Sequence, residues 1–191
     1  RIPPVIMGHE ASGVVAGTGE RCSHFRVGDR VAFDSTIYCG ECFHCRRGDI
    51  NLCENRRVLG VSADEYRQNG AYAQYVTVPE RSTYVLPERV SFEHGAMVEP
   101  LSIALHAAEI TPLRLSEPVV IIGAGVIGLL TLQVLRRAGA GTIVVSDVMD
   151  EKLEKARALG AELPVNPGEQ SVRDIALENT EGRGAAVVFD C

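Results

Sequence analysis

The 191-residue chain has no apolar run approaching the roughly 20 residues needed to cross a bilayer, and its opening Arg1-Ile2-Pro3-Pro4 lacks the layout of a signal peptide. A cytoplasmic, reducing location is expected. The chain also lacks an excess of basic charge. Its net charge of −6 gives no general attraction to nucleic acid or to anionic lipid, so neither a nucleic acid nor a membrane is expected as a partner. There is no internal repeat and no low-complexity tract. With 46% hydrophobic and 23% charged residues, the composition excludes disorder and fits a globular chain of one large domain or two smaller ones. An initiator Met is absent too, and Phe189-Asp190-Cys191 reads as a strand end, so an internal fragment is expected.

Cysteine, by contrast, is concentrated. Cys39, Cys42 and Cys45 stand at every third position, and Cys53 follows after seven further residues. Four soft thiol ligands in one short loop suit tetrahedral Zn²⁺ with no position left open, and a closed site is structural, not catalytic. Two disulfides in a secreted domain, or four unrelated buried thiols, are the competing readings; a disulfide scaffold does not gather its cysteines in one loop. Gly40 and Gly48 let the backbone turn tightly around an ion. Arg46, Arg47, Arg56 and Arg57, with backbone N–H groups, are expected to offset the charge of four thiolates, the alternative being that these arginines are simply solvated.

Around this lobe the chain reads as β-rich. Ala11–Ala16 and Val27–Phe33 are expected as strands, the second entered through a turn at Gly28-Asp29, and Gly70–Val78 as a further strand ended by Pro79. Ser91–Glu109 carries apolar and small residues at three and four spacing and is expected to be helical, with Pro100 near the start of its second part. From Pro118 the pattern changes to strand and helix in alternation. Strands are expected over Val119–Ile122, Thr142–Ser146, Leu163–Val165 and Ala185–Asp190. Helices are expected over Leu129–Ala138, Asp150–Leu159 (capped by Asp150, stopped by Gly160, with a Glu151–Lys155 pair) and Val172–Leu177. The alternation implies a parallel sheet with right-handed crossovers.

Gly123-Ala124-Gly125-Val126-Ile127-Gly128 links the first of these strands to its helix, and Asp147 ends the next strand, 19 residues past Gly128. The three glycines allow, in turn, a tight turn, close approach of a pyrophosphate and close helix–strand packing. The helix N-terminus, with Val126 and Ile127, favours the phosphates. Asp147 can accept hydrogen bonds from an adenosine ribose and repels a 2′-phosphate, so NAD is expected over NADP. An empty or flavin-binding fold of the same class is the alternative. Among the remaining residues, Cys22 and Cys191 are expected to be inert thiols, and His24, His44 and His94 exposed. His106 is expected to be a packed, hydrogen-bonded histidine.

Taken together, Gly8-His9-Glu10, Gly28-Asp29-Arg30-Val31, Cys39 to Cys53, Gly70-Ala71-Tyr72-Ala73 and Gly123 to Gly128 stand in an order that resembles the zinc-dependent medium-chain alcohol dehydrogenases. Glu99, in Val98-Glu99-Pro100, stands where a zinc-ligating cysteine is typical, which resembles the sorbitol and polyol dehydrogenase branch. The resemblance implies a GroES-like catalytic domain over residues 1–112 with a zinc lobe at 39–53, then a truncated Rossmann domain over 113–191. It implies one structural and one catalytic zinc. His9 would be a direct ligand, Glu10 a direct or close neighbour, and Glu99 a carboxylate that ligates the ion or holds its water. The implied reaction is NAD-linked hydride transfer between a secondary alcohol or polyol and its ketone, in a homo-oligomer (dimer or tetramer). A threonine 3-dehydrogenase, butanediol dehydrogenase or sugar-phosphate dehydrogenase of the same branch, or a non-catalytic zinc-binding interaction module, are the alternatives. Adjacent residues of a strand point to opposite faces, so His9 and Glu10 can share an ion only if the backbone bends between them.

Overall fold

A computed structural model of the chain describes residues 5–61 and 67–191. Two compact units, Arg1–Glu99 and Pro100–Cys191, meet within one helix.

In the first unit, β1 (Ser12–Val14), β2 (Arg30–Phe33) and β6 (Thr83–Val85) form an antiparallel sheet in the order β1-β2-β6. The turn into β2 needs Gly28, whose φ is 99°. Thr36–Ile37 (β3) and Arg57–Leu59 (β4) pair antiparallel and close the base of the cysteine lobe, and Arg67–Gln68 (β5) joins β4 in parallel. Leu59, fully buried, anchors that base.

The expected strand at Gly70–Val78 does not form. Its amides are spent elsewhere: Gly70, Ala71 and Tyr72 donate to the carbonyls of Ile6, Gly8 and Met7 at 2.7, 2.8 and 2.9 Å. The segment ties down the loop before His9 instead of extending a ladder. The expected helix at Ser91–Glu109 is two helices, α2 (Phe92–Ala96) and α3 (Val98–Glu109), broken at Met97. Ser91 Oγ caps α2 by accepting from the His94 N–H at 3.2 Å. Pro100 occupies the first turn of α3, where its missing N–H costs nothing.

The second unit is a four-stranded parallel sheet in the order β10-β7-β8-β9, from β7 (Val119–Ile122), β8 (Ile143–Ser146), β9 (Leu163–Val165) and β10 (Val187–Asp190). Alternate residues of β7 and β8 feed two cores. Val119, Ile121, Ile143 and Val145 pack with Leu132 and Leu135 of α4 (Val126–Ala138) and Ala156 of α5 (Asp150–Ala158). Val120 and Val144 pack on the opposite face with Ala176 of α6 (Val172–Glu178). Helices on both faces make the sheet doubly wound, and strands buried on both sides explain the unbroken apolar run Val119–Ile122. Gly139 ends α4 with φ 89°, and Gly160 follows α5 with φ 100°.

Two local expectations at α5 are corrected. Met149, not Asp150, is the cap residue, and it makes no side-chain bond; Asp150 lies inside the helix, where its Oδ1 accepts from Asn166 Nδ2 at 2.8 Å. Among the described residues no ion pair joins Glu151 to Lys155, and the lysine that finds a carboxylate is Lys152, on Asp147.

Candidate functional site

The cysteine lobe builds itself from short-range bonds. Gly40 (φ 86°) turns the chain after Cys39, Cys42 Sγ accepts from the Cys45 N–H at 3.5 Å to start helix α1 (Phe43–Arg47), and Gly48 (φ 92°) ends it. A 3₁₀ turn, Ile50–Leu52, then delivers Cys53, which is fully buried. The four Sγ atoms lie within 4.8 Å of one another. Cys39 Sγ is 3.6 Å from Cys53 Sγ and 3.9 Å from Cys45 Sγ. Sulfurs held at about 2.3 Å from one tetrahedral ion stand about 3.8 Å apart, so the donor set fits Zn²⁺. It does not fit disulfides, and all six cysteines are free.

Backbone N–H groups bond to the sulfurs directly. Cys39 Sγ accepts from the N–H groups of Glu41 and Cys42 at 3.5 and 3.4 Å and from Asn55 Nδ2 at 3.9 Å, and Cys53 Sγ accepts from the Cys39 N–H at 3.3 Å. Those amides hold the Cys39 thiol down to about 6. Burial pushes Cys45 up to about 12, with its thiol neighbours adding to the rise. The Cys42 thiol is lowered too, by the N–H groups of Cys45 and Glu54, so the backbone favours thiolate at two of the sulfurs while burial resists it at Cys45. Arg47, expected either to offset the thiolate charge or to be solvated, is exposed, pairs with Asp49 at 3.4 Å and lies over the Phe43 ring. His44, expected to be exposed, is half-buried, and its Nδ1 is buried without a hydrogen-bond partner.

A second donor set gathers residues far apart in sequence. His9, Glu10 and Glu99 each present a ligand atom, all within 4.8 Å of one another. His9 and Glu10 lie outside any strand, so the alternation of a strand does not part them, and their ligand atoms reach the same place. Glu99 stands in the first turn of α3, and Ser35 Oγ donates to its Oε1 at 3.5 Å. Burial raises the Glu99 carboxyl above its ordinary value; His9 opposes this, while the Glu10 and Asp34 carboxylates add to it. An imidazole with two carboxylates is a hard, oxygen-rich set with room for one divalent cation. Ser35, buried at 3% exposure, escaped the sequence reading because its role depends on a contact 64 positions away.

The glycine-rich loop follows β7 directly. A Cβ on Gly128 would stand 1.9 Å from the Gly123 carbonyl oxygen, whereas one on Gly125 would meet nothing within 4 Å. Gly128 therefore serves packing, and Gly125 leaves open space beside the loop. Val126 and Ile127 open the 13-residue helix α4, where first-turn N–H groups lack intrahelical partners. Asp147, 7% exposed, is tied into the loop: Oδ2 accepts from the Ala124 N–H at 2.9 Å and Oδ1 from the Met149 N–H at 2.9 Å. Lys152 Nζ lies 3.4 Å from Oδ2. Desolvation would raise the Asp147 carboxyl, but these donors outweigh it and the net shift is downward. Lys152, five residues past Asp147 in the first turn of α5, was missed in the sequence.

Other candidates stand apart. His24 and His94 are exposed as expected; His106, expected to be packed, is exposed. Cys22 Sγ donates to Glu80 Oε1 at 3.4 Å, and Cys191 is exposed at residue level with its Sγ 3.9 Å from Thr131 Oγ1. No helix among the described residues is long and apolar enough to cross a membrane.

Comparison with known proteins gives the same two parts. Residues 1–88 match the alcohol dehydrogenase GroES-like domain, and residues 126–191 match the zinc-binding dehydrogenase domain. Sorbitol dehydrogenase of Bacillus subtilis (strain 168) is 34% identical over 187 residues, which cover 98% of this chain and 52% of that protein. L-threonine 3-dehydrogenase of Symbiobacterium thermophilum is 36% identical over 188 residues, covering 98% and 52%. The crystal structure of a zinc-binding dehydrogenase from Sinorhizobium meliloti 1021 bound to NADP superposes with a TM-score of 0.89 at 36% identity, covering 100% of this chain and 55% of that one. The chain spans about half the length of the curated relatives it matches. With a GroES-like domain carrying a zinc-competent cysteine lobe and a Rossmann-like parallel sheet carrying a glycine loop, the chain belongs to the zinc-dependent medium-chain alcohol dehydrogenase family.

Proposed function

We propose that the protein is an NAD-linked polyol dehydrogenase interconverting a secondary alcohol and its ketone, with His9, Glu10 and Glu99 holding the catalytic zinc and Cys39, Cys42, Cys45 and Cys53 a structural one. The observation that carries this reading is the second donor set, in which one imidazole and two carboxylates lie within 4.8 Å. When bound there, zinc supplies Lewis-acid polarisation of an alcohol oxygen. Glu99, held by Ser35, would keep a carboxylate at that oxygen, and His9 would give the set a nitrogen donor. A carboxylate at Glu99, where a thiolate is typical, makes the site harder and more hydrated, which suits a polyhydroxy substrate. Val126 and Ile127 offer the pyrophosphate their N–H groups, and Gly125 leaves it space. The Asp147 carboxylate would repel a 2′-phosphate, which favours NAD.

Four thiols kept as metal ligands fit a reducing, cytoplasmic setting. A homo-oligomer, dimer or tetramer, is the assembly proposed, with no nucleic acid or membrane as partner. A second reading is threonine 3-dehydrogenase, since the 36% identity to the Symbiobacterium enzyme lies within the 34–37% shared with sorbitol dehydrogenases. Sorbitol, xylitol, butanediol and threonine, each assayed with NAD and NADP while zinc is counted, separate the readings. Oxidation of polyols with NAD, abolished by His9→Ala with the lobe zinc retained, is expected. Activity on threonine alone supports the second reading, and full activity in His9→Ala overturns the catalytic-metal assignment.

A further inference from the structure

Two glycines, Gly60 and Gly70, converge on one carbonyl, that of Gly8, immediately before His9. A Cβ on Gly60 would stand 2.1 Å from Gly8 O. A Cβ on Gly70 would stand 2.2 Å from the same oxygen and 2.4 Å from Gly60 Cα. Both glycines are buried. The Ala71 N–H donates to Gly8 O at 2.8 Å, flanked by the bonds from Gly70 to Ile6 and from Tyr72 to Met7, and Asn69 Oδ1 accepts from the Ile6 N–H at 3.0 Å.

The glycines differ in what demands them. Gly8 and Gly60 have φ of 96° and 67°, so a side chain at either would be strained whatever the space. Gly70 is not among the positive-φ residues, so its backbone suits any residue, and what forbids a methyl group is the nearness of Gly8 O, at 2.2 Å, and of the Gly60 backbone behind it. That oxygen belongs to the peptide unit leading into His9. Turning it away rotates the start of the segment that brings His9 and Glu10 to Glu99.

We propose that Gly70 is a positioning residue for the His9–Glu10–Glu99 metal cluster, acting through the Gly8 carbonyl. This rests on the reading of that cluster as a cation site. The cysteine lobe provides the internal control, because among the described residues the hydrogen bonds at its sulfurs come from residues 39–55.

The test uses the protein at its full natural length, with lobe zinc counted and Co²⁺ titrated into the second site while its visible absorption is followed. Gly70→Ala should keep the lobe zinc, weaken second-site Co²⁺ binding by about 10- to 100-fold and alter its spectrum, the range seen when support of a ligand is removed. Gly13→Ala, where a Cβ meets nothing within 4 Å, should leave both metals unchanged. In a His9→Ala background, Gly70→Ala should add less than about a twofold further loss, because both changes act on one ligand. Unchanged Co²⁺ affinity and spectrum in Gly70→Ala, full additivity with His9→Ala, or joint loss of both metals would each overturn the proposal. A wild-type protein taking up no His9-dependent second metal would remove the functional reading and this inference with it. That result is distinct from an indifferent Gly70→Ala in a protein whose wild type does bind.

Discussion

The two candidate metal clusters are assembled in opposite ways. The lobe draws its four sulfurs from 15 consecutive residues, with glycine turns and backbone N–H groups that the same stretch supplies. The His9–Glu10–Glu99 set joins residues 90 positions apart, through a loop clamped by Gly60 and Gly70 and a carboxylate steadied by Ser35. One site is a local fold that an ion completes; the other is a product of the whole surrounding domain. Local sites tie folding to metal, whereas distributed ones tie metal affinity to packing.

Removing a lobe ligand should break this contrast most severely. Cys42→Ser leaves three sulfurs around an ion whose binding is worth about 10–16 kcal/mol in isolated zinc-dependent folds, so the lobe should lose its zinc and residues 39–53 should exchange amide hydrogens faster. The parallel sheet, with its own two cores, should be unaffected. Metal analysis decides it, since unchanged zinc content ends the structural-site assignment.

The next effect is in packing alone. Leu132, fully buried between α4 and the sheet, should cost about 2–5 kcal/mol on truncation to Ala, read from denaturant unfolding of the second unit. Its metal content should stay unchanged. A loss of lobe zinc in Leu132→Ala would show that the sites are less independent than their construction suggests.

The same contrast explains what was legible in the sequence. The cysteine spacing, the glycine loop and the β/α alternation are encoded within windows of a few residues, and the elements appear where those windows place them. His9, Glu10 and Glu99 were reached only through resemblance, because no local pattern says that residues 9 and 99 meet. The strand expected at Gly70–Val78 failed for a related reason: alternation was present, but the amides at Gly70–Tyr72 bond to an irregular loop. Asp150 has the chemistry of a cap, yet Asn166 claims its carboxylate. Such competition between partners far apart in the chain leaves no trace in spacing.

Asp147 lies between the local and the distributed, since its position follows from spacing but its bonds to Ala124 and Lys152 do not. Asp147→Ser should weaken NAD and relieve repulsion of NADP, narrowing the preference by roughly 1.5–3 kcal/mol, the value of a charged hydrogen bond. Steady-state kinetics with both cofactors measure it. An unchanged ratio would mean that the carboxylate serves only to hold the loop.

The smallest effect expected concerns pH and a carboxylate outside both metal clusters. Glu80 Oε1 accepts from the backbone N–H groups of His24 and Ser23 at 2.5 and 2.8 Å, fastening the loop before Gly28 to the 3₁₀ turn that leads into β6. These amides, the His24 bond foremost, lower the Glu80 carboxyl from 4.5 to about 2. A carboxylate lowered by folding stabilises the folded state above its ordinary value, and that contribution drains away as pH falls from about 4.5 toward about 2. Glu80→Gln keeps an oxygen acceptor for the same amides but no longer titrates. The variant should therefore be somewhat less stable than the wild type at neutral pH and lose less stability across that acid window. Denaturant midpoints at pH 7 and at intervals below pH 4.5 test this. Parallel acid limbs in the two proteins would mean that Glu80 is not what fastens the loop to the sheet.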